Sequence, residues 1–336
     1  MKKFIYCLTI TALLSTVFIS CKEKVDITGL KISKSTLNMI PNGTANLDAN
    51  LLPYHATNKL NWTTSNENVV SITSIENKGK DVTVSKCVIT AKSVGTAIIT
   101  ISTKDGKYKA VCTVDVINPA PELIKVEGGT FMMGTDDEDE GLAMPSHEVT
   151  ISSFYVAKYP VTQQQWEALM GSNPSYCIGS KHPVERVSWD DVQLFIKKLN
   201  AYTGKKYRLL TEAEWEYAAR GGNQSHNYIY SGSDDVDVVA WYRQNSDDKS
   251  HPVGTKAPNE LGIYDMSGNV WEWCSDWADY YTSESQIDPP GPPTGMTRIV
   301  RGGCYGNDVR VLKVYMRSSS IPNYGGSWIG FRLALP

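Results

Sequence analysis

The two parts of this 336-residue chain carry different hydrophobic patterns. Between residues 26 and 117, apolar and polar positions alternate in short runs. Asp81-Val82-Thr83-Val84-Ser85 alternates as a half-buried strand does, and runs at 88–91, 97–101 and 111–116 follow at regular spacing. Asn42-Gly43, Val94-Gly95 and Asp105-Gly106 mark turns between them. This spacing predicts an all-β sandwich over 26–117. Asn118-Pro119-Ala120-Pro121 interrupts the pattern and makes residues 118–122 a short stiff linker, because proline holds its neighbours extended. From Leu123 onward glycines are frequent and regular runs are few, which predicts an irregular α+β domain over 123–336.

Three helices in that second part are announced by capping boxes or close variants. A Ser or Thr side chain and a residue three positions on satisfy each other's amides. Thr162 with Gln165 starts a helix over Gln163–Met170. Ser188 with Asp191 starts one that places Val192, Phe195, Ile196 and Leu199 on a single face and stops at Gly204. Thr211 with Glu214 starts Glu212–Arg220, which Gly221-Gly222 terminates. Glu212, Glu214 and Glu216 alternate along this last helix and read as cap and surface charges rather than acid–base groups. The acidic run 136–140 reads as a solvated loop, and His55 as a surface residue.

Residues 262–273, Gly-Ile-Tyr-Asp-Met-Ser-Gly-Asn-Val-Trp-Glu-Trp, fit neither period. Asp265, Gly268, Asn269 and Glu272 suggest a tight turn whose oxygens converge. That is the chemistry of a hard cation such as calcium, which takes six to eight oxygens. A solvated turn rich in Asp and Asn explains the same residues.

Lys2 and Lys3 followed by the apolar run 4–19 have the form of an export signal over residues 1–20. The sequence Phe18-Ile19-Ser20-Cys21 resembles a bacterial lipobox with Cys21 as the lipidated residue, although Leu is commoner than Phe at the first position. An ordinary cleaved signal is the alternative. Lipidation anchors the chain stably, since each buried methylene contributes about 0.8 kcal/mol. The expected location is the outer membrane or cell surface, lipid-anchored and exported. No later stretch approaches eighteen apolar residues, so no internal segment is expected to span a bilayer. A net charge of −3 without a long basic run argues against nucleic acid as a partner. In an exported protein, Cys274 and Cys304 read as a disulfide or as buried thiols in preference to a metal pair. Cys87 and Cys112 are candidates to pair within the sandwich, which leaves Cys177 over.

Two family resemblances sharpen this picture. Leu60-Asn61-Trp62-Thr63-Thr64-Ser65-Asn66, Val69-Val70-Ser71-Ile72 and Ser93-Val94-Gly95-Thr96-Ala97-Ile98-Ile99 resemble the bacterial Ig-like group 2 domain, usually a stalk or adhesion module. The remainder carries Gly128-Gly129-Thr130-Phe131-Met132-Met133-Gly134, Pro183-Val184-Glu185-Arg186-Val187-Ser188-Trp189, the run 208–222 from Arg-Leu-Leu-Thr-Glu to Ala-Arg-Gly-Gly, the 262–273 stretch, Arg301-Gly302-Gly303 and Gly330-Phe331-Arg332-Leu333. Together these closely resemble the formylglycine-generating enzyme (sulfatase-modifying factor) family. The resemblance implies an irregular fold of C-type-lectin type. It implies a structural calcium on Asp265, Gly268, Val270 and Glu272, with Gly268 and Val270 giving carbonyls. A second calcium would fall near Val239, Ala240 and Asn245, where the match is poor.

Active members of that family oxidise a sulfatase cysteine to formylglycine with two cysteines that bind copper(I). Aligned on Gly302-Gly303, those positions fall on Asn307 and Leu312. Aligned on Arg317, they fall on Cys304 and Val309. Neither alignment yields a thiol pair, because Cys304 is the last cysteine of the chain. Copper is therefore not expected, and no catalytic residue is assigned. The closing segment carries Tyr305, Asn307, Asp308, Tyr315, Ser318, Ser319, Ser320, Asn323, Tyr324, Ser327 and Trp328. Tyr, Ser and Asn with an occasional Trp is the composition of adaptable binding surfaces. It is similar to the variable region of lectin-fold receptors diversified by retroelements. The resulting expectation is an envelope lipoprotein with a non-catalytic domain that binds an extracellular protein or glycan. The alternatives are a divergent formylglycine-generating oxidase and a structural subunit of an envelope complex.

Overall fold

A computed structural model describes residues 25–336. The expected signal peptide and Cys21 lie outside the described residues. No helix among the described residues is long and apolar enough to cross a membrane.

Nine strands form the first unit: β1 (Gly29–Ile32), β2 (Thr36–Met39), β3 (Thr44–Leu52), β4 (Asn58–Thr64), β5 (Val70–Ile75), β6 (Asp81–Val82), β7 (Val84–Ala91), β8 (Gly95–Thr103) and β9 (Lys109–Val116). They build two sheets, ordered β1-β3-β7-β5 and β2-β9-β8-β4-β6. The inward residues of both sheets merge into one apolar cluster that includes Leu47, Leu51, Ile89, Ile99, Ile101 and Val114. Trp62 of β4 ties the sheets together, its Nε1 donating to Ser85 Oγ of β7 at 2.9 Å. The alternating run 81–85 is not one strand. It divides at Thr83: β6 pairs with β4 in one sheet, and β7 pairs with β3 in the other. A period of two shows which face is buried, but not which sheet receives each half.

The second unit continues with β10 (Leu123–Val126), β11 (Gly129–Met133), β12 (His147–Ile151), β13 (Phe154–Ala157), α1 (Gln163–Met170), α2 (Trp189–Thr203), α3 (Glu212–Ala219) and α4 (Val236–Val239). It ends with β14 (Trp271–Trp277), β15 (Gln286–Ile287), β16 (Arg298–Arg301), β17 (Arg317–Ser320), β18 (Ile329–Gly330) and β19 (Ala334–Leu335). Three small sheets result, ordered β10-β13-β19, β11-β12-β15 and β17-β16-β14-β18. All three expected capping boxes form, at Thr162, Ser188 and Thr211. Gly204 closes α2 in the left-handed conformation at φ +71°, which a glycine adopts without steric penalty. Helices α1 and α2 meet through Trp166 stacked on Phe195 at 5.3 Å, with Phe331 edge-on to both. The irregular stretch resolves into a turn followed by β14, whose first four residues are all buried. A strand covered on both faces shows no alternation, which is why the pattern concealed it.

Two side-chain hydrogen bonds from α1 reach the linker and the first unit. Gln165 Nε2 of α1 donates to the Pro119 carbonyl at 3.3 Å, and Asn38 Nδ2 of β2 donates to Glu167 Oε2 at 2.7 Å.

Candidate functional site

Every residue of α3 is buried, including its three glutamates. The reading of these as cap and surface charges is corrected: they form core ion pairs. Glu214 does complete the capping box, and it also holds Arg208 through both oxygens at 2.6 and 2.7 Å. Glu212 binds Arg317 through both oxygens at 2.7 and 2.6 Å. One oxygen of Glu216 meets Arg301, and the other accepts from Arg220 at 2.7 Å and from the Gly134 amide at 2.8 Å. Burial opposes ionisation of Glu216, but Arg220 and Arg301 outweigh it and hold the carboxyl below its usual range. Arg301 and Arg332 are wholly buried. Asp276 lies behind the start of α3, where it accepts from the Glu212 amide at 3.0 Å. Burial, reinforced by the Glu212 charge, pushes Asp276 up to about 7.

The turn before β14 is wound by four left-handed residues: Gly262, Asp265, Gly268 and Asn269. A side chain at position 268 would place its Cβ 2.4 Å from the Trp241 carbonyl oxygen, so only glycine fits. Asp265 Oδ2 accepts from the Gly254 amide at 2.8 Å, and burial lifts this carboxyl to about 6. Among the described residues it has no ion-pair partner. Asn269 donates to the His251 carbonyl at 3.1 Å and accepts from the His251 amide at 3.0 Å, fixing the loop alongside.

The expected calcium set divides here. Asp265 is buried without an ion pair, its oxygens accept from the Gly254 amide and from Asn269 Nδ2 at 3.3 Å, and the carbonyls of Gly268 and Val270 belong to the same turn. They are left as the candidate donors. Glu272 does not fit. Both its oxygens are held by Arg332 at 2.7 Å, and Oε2 also accepts from Trp215 Nε1 at 2.7 Å. Glu272 is therefore corrected from a calcium donor to the partner of a buried guanidinium. The second set does not fit either. Asn245 Nδ2 donates to the Ala240 carbonyl at 3.0 Å, and its Oδ1 accepts from the Tyr242 amide at 2.9 Å, so its amide is taken up by the loop itself. No group of three or more His, Cys, Asp or Glu placed to hold a metal occurs among the described residues.

The described cysteines, 87, 112, 177, 274 and 304, are all free thiols. The candidate Cys87–Cys112 bridge is corrected. Cys87 lies on β7 and Cys112 on β9, in opposite sheets, and burial pushes both thiols up to about 11. Cys274 and Cys304 follow the buried-thiol alternative. Burial pushes Cys304 up to about 11 and raises Cys274 well above the usual thiol range.

The eleven residues expected as a binding surface do not form one patch. Ser318, Ser319 and Ser320 run along the edge strand β17, where Ser319 accepts from Thr297 Oγ1 at 3.0 Å. Asp308 caps the short 3₁₀ turn Val309–Leu312, and Tyr315 packs against the core beneath. Asn323 and Tyr324 are exposed in the following turn. Tyr305, Asn307, Ser327 and Trp328 do converge, on a cleft of about 390 Å³. The cleft also takes Cys304, next to Tyr305, and Tyr176, Asp248 and Trp271 from three other segments, which the sequence reading did not assign to the binding surface. Tyr305 is only 6% exposed, and its hydroxyl donates to the Ser327 carbonyl at 3.1 Å.

A family model for the sulfatase-modifying factor enzyme 1-like domain matches residues 109–336. The chain belongs to that family. A relative from Paenibacillus barcinonensis named chaperone protein LppX is 36% identical over 246 residues, 57% of this chain and 81% of its own length. A formylglycine-generating enzyme from Thermomonospora curvata is 29% identical over 292 residues, 64% of this chain and 93% of its own. Among solved structures, Treponema denticola variable protein 1 superposes with a TM-score of 0.60 at 31% identity, over 63% of this chain and 94% of its own. PvdO from Pseudomonas aeruginosa gives 0.56 at 30% identity, over 65% and 95%.

In this sulfatase-modifying factor enzyme 1-like domain, the positions that the sequence resemblance assigns to the copper cysteines hold no thiol pair. Asn307 Oδ1 accepts from the Cys304 amide at 2.9 Å. Leu312 is fully buried, and Val309 opens the 3₁₀ turn. Cys304 is left as the single thiol of the cleft.

Proposed function

We propose that this is a lipid-anchored protein of the outer membrane or cell surface whose sulfatase-modifying factor enzyme 1-like domain is non-catalytic. In this reading, Cys21 carries the lipid and an Ig-like stalk spaces the domain from the membrane. The cleft at Tyr305, Asn307, Ser327 and Trp328 takes an extracellular protein or glycan. One observation carries the reading: the cleft has aromatic walls but a single thiol, Cys304, where two-cysteine copper chemistry needs a pair of soft donors. A calcium ion on Asp265 and the Gly268 and Val270 carbonyls would brace the turn behind the cleft and take no part in chemistry. Copper and nucleic acid have no role in it.

The test is a panel of purified envelope proteins and glycans offered to the immobilised protein, with Trp328→Ala beside the unmodified chain. The reading requires at least one member that binds and loses about tenfold or more in affinity with the variant. Binding that ignores Trp328 in every case would refute the cleft as the site. The chaperone name of a 36%-identical relative favours a second reading, in which the bound partner is a client protein. A client would then bind only while incompletely folded.

A further inference from the structure

We propose that this cleft is a pocket for an organic cation, the ammonium or guanidinium end of a lysine or arginine side chain on a protein partner. The proposal rests on the binding reading above and names its ligand chemistry.

Four aromatic rings line the cleft. Tyr176 and Trp328 are 68% and 42% exposed at its rim, while Trp271 and Tyr305 are buried beneath. Among the described residues, none of the four stacks on another ring or carries a lysine or arginine. Elsewhere in the domain, several ring faces are capped by the chain's own cations. Arg298 lies 3.5 Å over Trp277 and 4.0 Å over Trp189, Lys256 lies 4.3 Å over Trp241, and Arg317 lies 4.0 Å over Tyr281.

Asp248 lines the same cleft, is exposed, and forms no ion pair among the described residues. The nearby polar groups are already engaged. Asn307 Oδ1 binds the Cys304 amide, the Ser327 carbonyl binds the Tyr305 hydroxyl, and Arg243 gives its Nε to the Gly306 carbonyl at 3.0 Å. The Cys304 thiol is neutral at physiological pH. Asp248 is thus the carboxylate of the lining without a partner among the described residues. Aromatic faces carry negative potential, so rings and carboxylate share one sign, which suits a cation and disfavours an anion. A neutral sugar would use the rings but leave the carboxylate charge uncompensated.

The test uses the mature chain from Lys22 with 5-fluorotryptophan, read by fluorine NMR and assigned with Trp271→Phe and Trp328→Phe. The probes are the N-acetyl methylamides of lysine, arginine and norleucine, together with methyl mannoside and choline. The lysine and arginine probes should shift the Trp271 and Trp328 signals saturably, at least tenfold more tightly than norleucine. Asp248→Asn should weaken them at least fivefold. Asn tolerates the left-handed backbone at this position, φ +54°, so the fold is retained. No shift with lysine or arginine, or an equal shift with norleucine, overturns the proposal. Choline binding tenfold tighter than lysine reassigns the pocket to a headgroup and also overturns it. A response to mannoside alone refutes the cation but leaves the binding reading standing. Formylglycine production would instead refute the binding reading itself.

Discussion

At the scale of single residues, the decisive features are buried charges and their distant partners. Arg301 and Glu216 stand 85 positions apart, and Arg317 and Glu212 stand 105 apart, so no local pattern could join them. The sequence showed the glutamates and the arginines but not their pairing. Removing one partner leaves an uncompensated buried charge, so Arg301→Met should destabilise the protein by about 3–5 kcal/mol in urea unfolding. A loss below about 1 kcal/mol would mean the pair is not buried as described. Asp276 gives a pH signature. Its folded pKa, about 7, lies above its unfolded value, so its ionisation destabilises the fold as pH rises from about 4 to about 7. Asp276→Asn should therefore match the unmodified protein at pH 4 and exceed it in stability at pH 8. Equal stability at both pH values would show that Asp276 is not desolvated.

At the scale of elements, capping chemistry was the most legible signal. Three Ser/Thr boxes fixed the starts of α1, α2 and α3 because each is complete within four residues. The division of residues 81–85 between two sheets was not legible, since pairing depends on β4 and β3 rather than on the run itself. The turn before β14 was recognised as unusual from its Asp, Asn and Gly content, but its use of Glu272 was misjudged for want of Arg332, 60 residues on. Two outcomes belong to this turn. Gly268→Ala combines φ +82° with a 2.4 Å approach to the Trp241 carbonyl and should cost more than about 1 kcal/mol in thermal or urea unfolding. Calcium on Asp265 and the two carbonyls should raise the melting temperature, and EDTA should lower it again. A melt identical with calcium and with EDTA would remove the ion from the account.

At the scale of the whole molecule, the architecture of a sandwich followed by an irregular domain was readable because the hydrophobic period changes at the linker. The match to the sulfatase-modifying factor enzyme 1-like family over 109–336 accounts for the second unit and for the last strand of the first. The binding surface was legible only in part. Tyr305, Asn307, Ser327 and Trp328 lie close in sequence, whereas Tyr176, Asp248 and Trp271 reach the same cleft only through the fold. The central claim is that this cleft binds and does not oxidise. The most direct measurement incubates the mature chain with copper and a peptide carrying a Cys-x-Pro-x-Arg motif, beside an active formylglycine-generating enzyme, and follows the peptide by mass spectrometry. The account predicts an unchanged cysteine mass while the control converts its peptide. Conversion to formylglycine by this chain would contradict it and would place redox chemistry at Cys304 or Cys274.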